Sequence, residues 1–134
     1  MSKRLVVVDS SVWVSHFAGP TTAASRCLDD LLRGNRVAVN SIIRVEILTG
    51  ALHEAQYAEL EDTLRGLRVL QLSDAVWRLA ERLRFQLRQA GRLIPVPDVL
   101  IACCALLYDC ELLHADRHFD WIARAAPLRI YPLE

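Results

Sequence analysis

The chain has 134 residues, 53% of them hydrophobic, and 16 basic and 16 acidic side chains cancel to a formal charge of zero. That size allows one domain with a sizeable core, residues 1–134, and leaves no room for two of ordinary dimensions. The neutral balance neither excludes nor favours a nucleic-acid partner, but it requires any polyanion to be met by local rather than global positive charge.

In chain order, Arg4–Val8 (RLVVV) is a short β-branched run without helical period and predicts a buried strand. Asp9-Ser10-Ser11 then supplies side-chain oxygens that can cap a helix carrying Val12, Trp13, Val14 and Phe17, stopped by Gly19-Pro20. A second helix is expected from Thr22 to Arg33, with Gly34 at its end. Val37–Val39 is another short strand, and Ser41 can cap the helix bearing Ile42, Ile43, Val45, Ile47 and Leu48. Ala55–Leu67 has helical spacing, with Leu60, Leu64 and Leu67 on one side. Val69-Leu70 is a brief strand candidate before the longest helix, Asp74–Ala90, which Gly91 ends. Pro97 suits the first turn of a helix running to Tyr108. Leu112-Leu113 forms a strand, His118–Ala125 a last helix, and Leu128–Tyr131 a final strand. Short apolar strands alternating with helices predict a three-layer α/β/α sandwich around a short central parallel sheet. Ligands of such sheets bind at the carboxyl ends of the strands.

Cys27, Cys103, Cys104 and Cys110 have no CxxC spacing and read as free thiols. No leader is visible, and no stretch approaches the roughly 20 apolar residues needed to span a bilayer. A soluble, reduced, cytoplasmic protein fits this pattern. Lys3 is the only lysine; the remaining cations are arginines, which grip phosphate bidentately but also follow from G- and C-rich codons.

Four carboxylates stand out. Asp9 follows the strand Arg4–Val8, and Asp116 follows Glu111–Ala115 in the same way, each ahead of a helix. One such Asp is ordinarily a helix cap; two at one sheet edge invite a functional reading. Asp98 lies in a first helical turn, where the macrodipole favours an anion by roughly 0.3–1 kcal/mol. Its apolar flanks place it near a pocket mouth. Glu46 has Ile42, Ile43, Thr49 and Gly50 at its helical neighbour positions, which predicts a half-buried acid without a salt partner. Should the four converge, like charges about 4 Å apart repel by roughly 4 kcal/mol at an effective dielectric near 20. An oxygen-only set then selects a hard cation, Mg²⁺ or Mn²⁺, able to activate water against a phosphodiester.

The strand followed by DSSVW (Asp9–Trp13), then VEILTGA (Val45–Ala51), PDVLIACCA (Pro97–Ala105) and LLHADRHFDWI (Leu112–Ile122) resembles the PIN-domain family, in particular its VapC-type toxins. The resemblance covers nearly the whole chain. It implies a Mg²⁺-dependent endoribonuclease acting on structured RNA such as tRNA or rRNA, and a homodimer neutralised by a cognate VapB-like antitoxin. It assigns Asp9, Glu46, Asp98 and Asp116 to metal holding and catalysis, with a hydroxyl of Ser10 or Ser11 in support. Relatives often carry an acid where His118 stands and a hydroxyl residue where His114 stands, so the number of metals stays open. His118 is expected to sit exposed at a helix start and Asp120 on the surface. Arg44, Arg92 and Arg117, each close in sequence to one of the acids, are the candidate RNA contacts. Trp13 and Phe17 are read evenly as core or as a stacking surface.

The rivals are a PIN-like RNA-binding or RNA-processing module without a toxin role, and a Mg²⁺-dependent phosphatase using Asp9. Haloacid-dehalogenase-like enzymes want a second Asp where Ser11 stands, and receiver domains want a late lysine. No GxGxxG or Walker loop is present.

Overall fold

The runs VVV and VAV become β1 (Val6–Val8) and β2 (Val37–Val39), and every residue in them is buried. Burial on both faces is what an uninterrupted β-branched run requires, and here helices supply the cover. The structure is a computed structural model that describes residues 3–19 and 22–133. Pro20, the expected stop of the first helix, lies outside the described residues. The order continues as α1 (Ser10–Phe17) and α2 (Ala23–Arg33) between β1 and β2, then α3 (Ser41–Thr49), α4 (Glu54–Arg65), β3 (Arg68–Val69), α5 (Asp74–Gln89), α6 (Val96–Leu107), β4 (Glu111–Leu113), α7 (Arg117–Ala125) and β5 (Arg129–Ile130).

The sheet has five parallel strands in the order β3-β2-β1-β4-β5. The chain therefore starts at the centre, winds outward through β2 and β3, then returns to the other side of β1 through β4 and β5. That reversal puts a topological switch point between β1 and β4, where the connections leaving the strand ends diverge and open a crevice. In register, Val8 lies opposite Leu113, and the Asp9 N–H donates to the Leu113 carbonyl at 2.9 Å. The expected α/β layering is present, with helices flanking the sheet.

Local sequence explains most boundaries. Thr22 caps α2 by accepting from the Ser25 N–H at 3.0 Å. Asn40, not Ser41, caps α3: its Oδ1 accepts from the Ile43 N–H at 3.0 Å, and Ser41 is already helical. The cap must be the last extended residue, so the one position decides between two capable side chains. Trp13 is fully buried and belongs to the core, while Phe17 stacks on it at 5.7 Å with 38% of its surface exposed. Trp13 is thereby removed as a surface for bases. The hydrophobic α6 is sealed from Val99 to Ala105, including the free thiols of Cys103 and Cys104. Among the described residues, no helix is long and apolar enough to cross a membrane.

Candidate active site at the strand ends

The crevice between β1 and β4 collects acids from four separate elements. Asp9 ends β1 and caps α1; it is 5% exposed, and its Oδ2 accepts from the Ser11 hydroxyl at 2.7 Å and the Ser11 N–H at 3.3 Å. Asp116 follows β4 and caps α7, its Oδ1 accepting from the His118 N–H at 2.9 Å. The capping and functional readings of these two acids are thus compatible: a capping carboxylate keeps a second oxygen free to face the crevice.

Glu46 comes from α3 and accepts from the Ser10 hydroxyl at 2.9 Å. It is exposed, not half-buried, which corrects that part of the sequence expectation; it has no salt partner among the described residues, as expected, and its hydrogen-bond partner is a neutral hydroxyl. The strand ends are open to water on this side, and the partner comes from another helix, where neighbour counting on α3 cannot see it. Neighbouring atoms still take the carboxyl partly out of water. That desolvation raises its pKa, the Ser10 hydrogen bond opposes the rise, and repulsion from Asp9 and Asp98 adds to it. Asp98, in the first turn of α6, is half-buried as its flanks imply. Its pKa is also raised, first by burial and then by Asp9 and Asp116, against a hydrogen bond to His118. These mutual repulsions are the evidence that the four acids share one field.

His118 is the residue that sequence reasoning misplaced. It stands inside the cluster, with Nδ1 2.8 Å from Asp98 Oδ2 and 3.4 Å from Asp116 Oδ1. Its backbone N–H caps onto Asp116, which turns the ring inward, and the link to Asp98 spans twenty positions of sequence. Among the described residues it is the one basic side chain within ion-pair distance of any of the four acids. Asp98, Asp116 and His118 each offer a ligand atom, all within 4.8 Å of one another. His114 has a mostly buried side chain; its Nδ1 accepts from the Asp116 N–H at 3.1 Å. Its Nε2 lies 3.2 Å from Asp120 Oδ1 without forming a hydrogen bond. Asp120 is exposed as expected but not isolated.

Of both hydroxyls, each serves a different acid, where one was expected to serve. Of the three arginines, Arg92 and Arg117 meet over the ring of Trp121, whose own ring lies 5.5 Å from that of His118. Arg44 instead lines a hollow with Ser41, Glu61 and Arg65, on the side of α3 turned to α4. Trp121 carried a signal that went unread, since it stands four positions after Arg117 on one helix face.

A carboxylate set lacking arginine or lysine fits a hard divalent cation. Among the described residues only His118 lies within ion-pair distance of its acids, and its oxygens match the preferences of Mg²⁺ and Mn²⁺. Comparison with known proteins identifies the family and the fold. Residues 6–125 match the PIN domain. The chain is 33% identical over 129 residues to ribonuclease VapC11 of Mycobacterium tuberculosis, covering 93% of this chain and 96% of that protein. It is 29% identical over 122 residues to ribonuclease VapC19 of the same organism, covering 90% and 97%. In fold it is similar to VapBC2 from Rickettsia felis, solved bound to a promoter DNA fragment, with a TM-score of 0.79, 21% identity and coverage of 97% and 99%. VapBC-5 from Mycobacterium tuberculosis gives a TM-score of 0.73 at 23% identity, covering 98% and 100%.

Proposed function

The chain belongs to the PIN-domain family, in its VapC group, and from that premise we propose that it is a Mg²⁺-dependent endoribonuclease, the toxin of a toxin–antitoxin pair. Residues 1–134 act as one PIN domain, in the cytoplasm and as a homodimer, cleaving structured RNA of the tRNA or rRNA class. A VapB-like antitoxin neutralises it. The relatives' activity supports the reaction class, and one observation carries it to this chain: four acids from four elements converge with no arginine or lysine within ion-pair distance among the described residues.

Asp9, Glu46, Asp98 and Asp116 would hold the metal, Mn²⁺ serving in place of Mg²⁺. When bound, such an ion neutralises the acids and makes a water acidic enough to attack a phosphodiester. The protein's own part is orientation. Ser11 fixes Asp9 through its N–H and hydroxyl, Ser10 fixes Glu46 across the crevice, and His118 spaces Asp98 from Asp116. Arg92 and Arg117 contact the RNA. The phosphatase alternative fares poorly, because Ser11, whose N–H and hydroxyl hold Asp9 Oδ2, stands where haloacid-dehalogenase-like enzymes want a second Asp.

The test is brief expression of the chain in a bacterium without the antitoxin, followed by sequencing of RNA 5′ ends. Growth arrest with new, discrete ends in a tRNA or rRNA is expected, and Asp9→Ala should produce neither. Wild-type expression that adds no RNA ends would overturn the proposal.

A further inference from the structure

Some arginines of this chain find acids. Arg33, Arg65 and Arg78 each pair with a carboxylate three positions away, and Arg4, Arg36 and Arg129 pair across elements. Arg92 and Arg117 are exposed and, like Arg26, Arg68, Arg82, Arg88 and Arg124, have no acidic partner among the described residues; what sets them apart is that the two share one aromatic ring. Each lies over the ring of Trp121, with guanidinium carbons 4.2 Å and 5.3 Å from its centroid.

The stack is built in. Gly91 takes φ 86°, a left-handed conformation open to glycine without strain, so the chain doubles back at the end of α5. The Arg92 N–H then donates to the Leu87 carbonyl at 2.8 Å, and Gly91 N–H to Arg88 at 2.9 Å, closing the helix end. Beyond Arg92 the loop is pinned by buried Ile94, whose carbonyl accepts from Arg84 Nε at 2.8 Å. Arg117 arrives from the other side, at the start of α7, one turn before Trp121. The same indole neighbours His118, and through it Asp98 and Asp116.

Stacking occupies the flat faces of a guanidinium and leaves its in-plane N–H edges free, the geometry that binds a phosphate bidentately. An acid cluster repels an RNA backbone, and in a neutral protein some local positive group must offset that. We propose that Trp121 is a positioning residue that couples Arg92 and Arg117 into one clamp for an RNA backbone phosphate beside the acidic cluster. The clamp reads charge, not base. It rests on the ribonuclease reading for its substrate.

The experiment is fluorescence anisotropy of the full chain with a short single-stranded RNA in Ca²⁺, at several salt concentrations, on RNAs of two sequences. Arg92→Ala and Arg117→Ala should each reduce the slope of log affinity against log salt by about 0.7, equally on both sequences. Trp121→Ala should reduce it beyond either, towards the double-arginine variant, while Trp121→Phe, which retains an aromatic face, recovers much of the loss. Cleavage kinetics in Mg²⁺ should show a raised KM with kcat kept. Trp121→Leu reads the same comparison should the alanine variant fold poorly. A wild-type salt slope in the Trp121 variants, whatever their melting temperature, overturns the clamp. Wild-type protein that binds with the clamp-dependent slope but never cleaves overturns the ribonuclease reading alone. Cleavage by wild type with unchanged binding in all variants overturns the clamp alone.

Discussion

The Asp98 carboxylate accepts a hydrogen bond from His118 and is still shifted towards its protonated form, because burial and the charges of Asp9 and Asp116 outweigh that one bond. Its ionised form is therefore a burden on the metal-free fold. Asp98→Asn, which keeps the shape and removes the charge, should melt no lower than wild type in EDTA. With Mg²⁺ or Mn²⁺ added, wild type should melt higher, since saturation to about 100 times Kd adds roughly 2.7 kcal/mol, and the variant should not follow. Equal metal shifts in the two proteins, read by calorimetry, would detach Asp98 from the metal. Asp98 was legible from its apolar flanks and Glu46 from its missing salt partner, though Glu46 proved exposed. His118 was not legible, because its place depends on Asp98, which a whole strand and loop separate from it.

At the scale of elements, the short apolar runs and their flanking caps revealed every strand and helix to within a few residues. They gave the cap of α3 to Ser41 where Asn40 holds it, and they left open whether Asp9 and Asp116 are caps or catalytic groups. The structure shows both as caps, and substitution can separate that role from the proposed catalytic one. Asn caps as well as Asp does, whereas Ala gives up about 1 kcal/mol. Asp116→Asn should retain its urea midpoint and lose RNA cleavage, while Asp116→Ala should lose both. An Asp116→Asn variant that cleaves normally would reduce Asp116 to a cap. Trp13 shows the reverse limit: its helical partner Phe17 was visible in the sequence, but only the packed layers decide that the indole lies inside.

For the molecule as a whole, periodicity pointed to a parallel sheet without giving the order of its strands. The order β3-β2-β1-β4-β5 is what joins the acids, because it sets the strand bearing Asp9 beside the one leading to Asp116 with the switch point between them. In the sequence these acids are over a hundred positions apart, so no local pattern could assemble them, and family resemblance supplied that step. Zero net charge is consistent with the result, since acids gather in the crevice and arginines stand at its edge. The central claim is that this crevice cleaves RNA with a divalent ion held by its carboxylates. Its most direct test is incubation of the purified chain with total RNA in Mg²⁺, in EDTA, and with Asp98→Asn at equal concentration and matched circular dichroism. Discrete cleavage in Mg²⁺ alone, absent in EDTA and in the folded variant, is the expected result; undiminished cleavage in EDTA or by Asp98→Asn would contradict it.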